Sequence, residues 1–131
     1  MSDTQEKRKK RILLVDDDGV ILESWRTILC DLGYEVRTAR DGNRGLEDAE
    51  NWGPDLVILD LLMPKRSGFL VLENLRRTKK YPVKVVMITA NSGNRHQEYA
   101  ETLGVDAYLR KPFESAKLIS IIENLIGKAD E

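Results

Sequence analysis

Residues 12–18 read Ile-Leu-Leu-Val-Asp-Asp-Asp, and residues 56–60 read Leu-Val-Ile-Leu-Asp. Each is an unbroken apolar run that ends abruptly on a carboxylate. A strand with one wet face alternates apolar and polar residues. A run that is apolar throughout is covered on both faces, the mark of a parallel sheet sandwiched between helices. Tyr34–Ala39, Val83–Thr89 and Val105–Leu109 are the other β-like segments. Each of these segments is followed by a stretch that can be helical: Gly19–Leu32, Gly42–Glu50, Ser67–Thr78, Ser92–Leu103 and Ser115–Ile126. In the first helix Ile21, Leu22, Trp25, Ile28, Leu29 and Leu32 share a face, and Gly33 closes it. In the last, Leu118, Ile119, Ile121, Ile122, Leu125 and Ile126 do the same before Gly127. Ser92–Gln97 carries little apolar periodicity. Strict β-α alternation with right-handed crossovers predicts a doubly wound α/β fold.

The chain has 131 residues, 41% of them apolar, which is one domain's worth of sequence with a core's worth of hydrophobes. Charged residues make up 33%, above the usual ~25%, yet 21 Lys and Arg nearly cancel 22 Asp and Glu. That balance argues against direct nucleic-acid binding, which calls for a basic excess. Cys30 is the single cysteine, so an intrachain disulfide and a thiolate metal cage are both excluded; its place in the apolar repeat predicts a buried small hydrophobe. No apolar run approaches the ~20 residues of a membrane span, and no signal-peptide core follows Met1. A soluble, cytoplasmic protein without membrane contact is expected. Residues 1–10, which end in the cations Lys7 to Lys10, read as a disordered basic tail before a domain over residues 11–128.

In such sheets every strand points its carboxyl end to one edge, where ligands bind. Asp16, Asp17 and Asp18 follow the first strand and Asp60 ends the third. Thr89 ends the fourth, and Arg110, Lys111 and Pro112 follow the fifth. Carboxylates a few ångströms apart near a surface repel by about 4 kcal/mol per close pair, so this rim needs cations. Lys111 is one, and it cannot offset three or four acids. The other should be hard and oxygen-seeking, because His96 is the only imidazole and lies elsewhere; Mg²⁺ fits. Asp18 reads as a helix N-cap. A carboxylate beside Mg²⁺ can attack phosphorus to give an aspartyl phosphate. Asp60, alone at a central strand end, is the best nucleophile; Asp16 and Asp17 are better placed to hold the metal, and Lys111 and Thr89 supply donors to the phosphoryl oxygens.

From Arg11 to Gly127 the chain resembles the receiver domain of bacterial two-component response regulators, in particular the chemotaxis type. The residues that carry the likeness are Asp16-Asp17, Asp60-Leu61-Leu62-Met63-Pro64 with Gly68, Thr89-Ala90, and Lys111-Pro112-Phe113, in order and each at a strand end. The resemblance implies a flavodoxin-like three-layer sandwich with strand order 2-1-3-4-5. It implies that Asp60 accepts a phosphoryl group from a sensor histidine kinase, a His-phosphotransfer protein or small donors. Asp17, Asp60 and the Leu62 carbonyl would ligate Mg²⁺, with Asp16 acting through a bound water. Lys111 would pair with the phosphoryl group across a cis bond to Pro112, and Gly68 would be structural. Thr89 and Tyr108 would form a switch that moves helix four, strand five and helix five to engage a downstream effector protein.

Leu62 and Asn91 stand at flanking positions where that family varies, and an apolar Leu62 is expected to hinder water and prolong the phosphorylated state. Rival readings compete. In one, Asp16-Asp17-Asp18-Gly19-Val20 resembles the opening signature of haloacid-dehalogenase phosphohydrolases, with Asp16 as nucleophile. That family also needs an acidic pair after the lysine, and here only Glu114, Glu123 and Asp130-Glu131 follow. In the other, the receiver fold serves as a binding module without phosphorylation; the intact set of acids, threonine and lysine argues against it. A flavodoxin-like cofactor carrier would need a hydroxyl-rich phosphate loop where three aspartates stand. The chain ends about one turn after the last helix, which leaves a stand-alone receiver, a relay intermediate or a domain of a longer regulator; the polar Lys128–Glu131 end favours the first, with self-dephosphorylation too slow to make it an enzyme in the ordinary sense.

Overall fold

The computed structural model describes residues 8–63, 66–78, 83–90 and 93–131. Five strands and five helices alternate: β1 (Arg11–Val15), α1 (Gly19–Asp31), β2 (Glu35–Ala39), α2 (Gly42–Trp52), β3 (Leu56–Asp60), α3 (Gly68–Thr78), β4 (Lys84–Thr89), α4 (Asn94–Leu103), β5 (Ala107–Arg110) and α5 (Ser115–Ile126). The strands are all parallel, in the order β2-β1-β3-β4-β5. The expected doubly wound architecture and strand order are therefore both present.

The unbroken apolar runs do what their composition requires. Leu13, Val15, Val57, Leu59, Val85 and Met87 point to one face, where Ala49 of α2, Val71, Leu72 and Leu75 of α3, and Ala100 of α4 cover them. Ile12, Leu14, Leu56, Ile58, Val86 and Ile88 point to the other, under Leu22 and Leu29 of α1 and Leu118 and Ile122 of α5. A period of two along each strand thus feeds two separate cores.

Several boundaries differ from the sequence expectation for identifiable reasons. The fifth strand begins at Ala107 rather than Val105, because Val105 donates its N–H back to Ala100 (3.1 Å) and completes the cap of α4. Asp106 is taken by a polar node instead. Its Oδ2 accepts from Val85 N (2.8 Å) and from Arg76 Nη2 (2.8 Å). Arg76 also donates to the carbonyls of Val83 (2.7 Å) and Gly104 (2.9 Å), so one guanidinium ties together the end of α3, the start of β4, the end of α4 and the start of β5. Cys30 is exposed rather than buried: it lies one residue past Leu29, about 100° round the helix and off the core stripe. Leu32, counted in that stripe, is the C-cap and is 45% exposed. At the other end, Arg8 and Lys10 are not free as a tail would be. Arg8 meets Asp55 at 3.0 Å, and Lys10 Nζ donates to the Lys128 carbonyl. Lys7, Pro64, Asn91 and Ser92 lie outside the described residues.

The Arg76 node predicts that Arg76→Ala costs about 2–3 kcal/mol in urea denaturation, since it strands two carbonyls and a carboxylate. Arg76→Lys should recover less than half of that, because a point ammonium cannot serve three acceptors in a planar fork.

Candidate functional site

The sheet register assembles the site. Val15 pairs with Leu59, so the next step along each strand sets Asp16 beside Asp60. Asp60 pairs with Ile88, and Thr89 pairs with Arg110, which brings Thr89 and Lys111 to the same edge. Carboxylate oxygens of Asp16, Asp17 and Asp60 lie within 4.8 Å of one another. Lys111 Nζ stands 3.7 Å from Asp16 Oδ2. Residues separated by nearly a hundred positions thus meet in one pocket.

Each acid has its own environment. Asp16 is buried, and both its oxygens are engaged: Oδ1 accepts from Asp18 N (2.9 Å), and Oδ2 faces Lys111. Asp17 is exposed, and Asp60 is half-buried. Asp18 caps α1 as expected, accepting from Val20 N (3.0 Å) and Ile21 N (3.3 Å). Beside Asp16, Asp60 and Lys111 runs an apolar cleft walled by Ile21, Trp25 and Phe113, with the Trp25 and Phe113 rings stacked at 6.2 Å. Burial is the main reason that the Asp60 carboxyl is pushed up from the ordinary 3.8 to about 6. The charge of Asp16 adds to the rise, while Lys111 and the Leu62 N–H oppose it. Burial also raises Asp16, against the Asp18 hydrogen bond and Lys111. A pocket with three acids, one ammonium and oxygen donors only suits a hard divalent cation, and Mg²⁺ fits this donor set.

The remaining expected residues take distinct places. Thr89 is fully buried behind the acids. The Tyr108 hydroxyl is buried near it without a hydrogen-bond partner among the described residues. Burial raises that phenol's pKa, partly offset by Arg110 and Thr89. Leu62 is 61% exposed at the rim. The Lys111–Pro112 peptide is cis. Gly68 permits a close approach, since a Cβ there would lie 2.6 Å from the Asp60 carbonyl oxygen. His96 lies apart on α4, its ring edge-on to Phe69. Sequence reasoning passed over Arg40 and Gly42, at the end of β2 and the start of α2. Arg40 Nη2 donates to the Asp17 carbonyl (3.1 Å). Gly42 sits so close to Arg66 that a Cβ there would collide with its carbonyl oxygen. No spacing signal in the sequence marks either residue.

Residues 12–123 match the response regulator receiver domain family. The chain belongs to that family. It is 35% identical over 124 residues to a probable transcriptional regulator, ycf27, of Porphyridium aerugineum, covering 95% of this chain and 51% of that protein. It is 36% identical over 121 residues to the DNA-binding dual master transcriptional regulator RpaA of a Synechocystis species, covering 92% and 50%. Among solved structures, the chemotaxis protein CheY4 of Vibrio cholerae superposes with a TM-score of 0.84 at 28% identity, covering 91% of this chain and all of that one.

This receiver domain spans about half the length of the curated relatives it matches. The expectation that nucleic acid plays no part is corrected by these relatives, which are transcriptional regulators, one of them described as DNA-binding. Net charge reports only on the residues counted, so a balanced receiver domain says nothing of a basic surface carried elsewhere in a longer protein. No described helix is long and apolar enough to cross a membrane.

The raised Asp60 pKa gives a pH prediction. The folded domain binds that proton more tightly than the unfolded chain, so without divalent ion the domain loses stability as pH rises from about 4 through about 6. At pH 7.5 in EDTA, Asp60→Asn should therefore be more stable than the parent by about 1–2 kcal/mol, after allowance for the half-exposed site. The difference should vanish near pH 4 in chemical denaturation.

Proposed function

We propose that this receiver domain accepts a phosphoryl group on Asp60, from the phosphohistidine of a sensor kinase or from a small acyl phosphate, and thereby controls an output activity. The observation that carries this reading is the convergence of Asp16, Asp17 and Asp60 within 4.8 Å, with Lys111 beside them. One Asp60 carboxylate oxygen attacks phosphorus as the bond to the donor breaks: a phosphohistidine protonated on its other ring nitrogen departs as neutral imidazole, and an acyl phosphate departs as its carboxylate. Asp60 rather than Asp16 is the nucleophile, because both oxygens of Asp16 are already engaged.

The Lys111 ammonium, released from Asp16, faces the charge on the transferred group, and the Thr89 hydroxyl donates to one of its oxygens. Asp17, Asp60 and the Leu62 carbonyl would hold Mg²⁺, with Asp16 acting through water; when bound, the ion supplies charge neutralisation to the phosphoryl oxygens. Movement of Thr89 would draw on the Tyr108 hydroxyl, buried without a hydrogen-bond partner among the described residues, and so bias α4, β5 and α5. By analogy with its relatives, which are named as transcriptional regulators, the proposed output is transcriptional control exerted in the cytoplasm. The chain is a phosphoacceptor that loses its phosphoryl group slowly, and no separate enzymatic activity is proposed.

Incubation with acetyl phosphate and Mg²⁺, read by intact mass, should add one phosphoryl group. EDTA and Asp60→Asn should each abolish the adduct. An adduct that survives Asp60→Asn would move the site to Asp16, and the absence of any adduct with every donor would leave a binding module. Leu62→Asn should shorten the lifetime of the adduct, because the exposed leucine then no longer screens the acyl phosphate from water. An unchanged or slower decay would refute that role.

A further inference from the structure

The acidic pocket is built from two loops, one after β1 and one after β3, and both lean on a turn that contributes no carboxylate to it. Residues 39–43 join β2 to α2 at the edge of the sheet. The Ala39 carbonyl accepts the Asp16 N–H (3.1 Å). Arg40 Nη2 donates to the Asp17 carbonyl (3.1 Å), and its guanidinium lies against Gly19, 3.3 Å from where a Cβ would stand. Gly42 admits the Arg66 backbone from the loop after β3, and the Asn43 side-chain carbonyl accepts from Arg66 Nε (2.8 Å).

The placement of Arg40 is specific in two ways. It addresses a backbone carbonyl and so leaves the Asp17 carboxylate free. It also flanks the acids from β2, whereas Lys111 flanks them from β5, on the other side of β1 and β3. A guanidinium at the start of a helix is electrostatically unfavourable, because the helix dipole is positive there. Its hydrogen bond to the loop offsets that cost.

From this geometry we infer that Arg40 is a positioning residue for the acidic site: it holds the loop of Asp16 and Asp17 in the arrangement that grips a divalent cation. This inference rests on the Mg²⁺ reading given above. Bulk electrostatics predicts the opposite sign, since removing a cation beside an acidic pocket should tighten cation binding. The two effects therefore separate cleanly.

Mg²⁺ affinity of the full chain, measured by calorimetric titration without any phosphodonor, should fall about five-fold in Arg40→Gln, the size of one lost exposed hydrogen bond. Arg37→Gln removes the same charge three residues earlier, within β2, but that arginine stacks on Trp52. It should leave affinity unchanged or slightly tighter. Arg40→Lys should recover part of the loss. In EDTA, amide exchange at residues 16–20 should be faster in Arg40→Gln than in Arg37→Gln. If Arg40→Gln binds Mg²⁺ as tightly as Arg37→Gln, the inference is overturned. If the parent chain binds no Mg²⁺, the proposed function fails instead, and the exchange comparison alone decides whether Arg40 braces the loop.

Discussion

Three carboxylates crowd together at the edge of an apolar sheet, and that repulsion is the constraint around which the structure is organised. Neither solvent nor Lys111 neutralises it. Asp60 is held up near pH 6 because charge on it is disfavoured by its own burial and by Asp16. A folded domain tolerates such a site only if its scaffold is stiff enough not to let the acids drift apart. The central strands meet that demand. Ile12–Val15 of β1 and Leu56–Leu59 of β3 are apolar throughout, and both strands are hydrogen-bonded to neighbours on both sides and covered by helices above and below. The acids project from the central strands of the sheet, and their mutual repulsion favours a cation among them.

The two ends of the sheet have different characters. At the amino end, charges pair closely: Arg76 with Asp106 at 2.8 Å, Arg8 with Asp55 at 3.0 Å and Arg11 with Glu35 at 3.1 Å. At the carboxyl end, like charges meet, Thr89 is fully enclosed, and the Tyr108 hydroxyl is buried beside it. The amino end is thus closed by ion pairs, while the carboxyl end gathers negative charge. This polarity follows from parallel strands, which collect every strand terminus of one kind on a single side.

The parts of this arrangement that were legible in the sequence are those written as local pattern. Ile12–Val15 and Leu56–Leu59 announce buried parallel strands because no residue in them tolerates water. Asp16, Asp17, Asp60, Thr89 and Lys111 are legible as a group because each directly follows or ends a strand, and strand ends in this topology converge. What was not legible depends on neighbours in space. Val105 and Asp106 look like the start of a strand, but the cap of α4 and the guanidinium of Arg76 claim them. Cys30 sits in an apolar repeat yet faces outward, since one step along a helix turns the side chain by about 100°. Arg40 acts through a backbone carbonyl on an adjacent strand's loop, a contact that leaves no trace in residue spacing. Gly42 and Gly68 are needed for approaches between segments that only the folded chain brings together.

The fastening of α4 is lopsided. Its last turn is capped by backbone bonds at Gly104 and Val105, and the Gly104 carbonyl is gripped by Arg76. Among the described residues its first turn is tied to β5 only by side chains, through Arg110 to Asn94 (2.6 Å) and Gln97 (3.1 Å). A rod clamped at one end and tethered at the other swings about its clamp. Gly104 is thus the fulcrum of any excursion of this helix, and the throw is greatest at Asn94, on the same edge of the sheet as the acids.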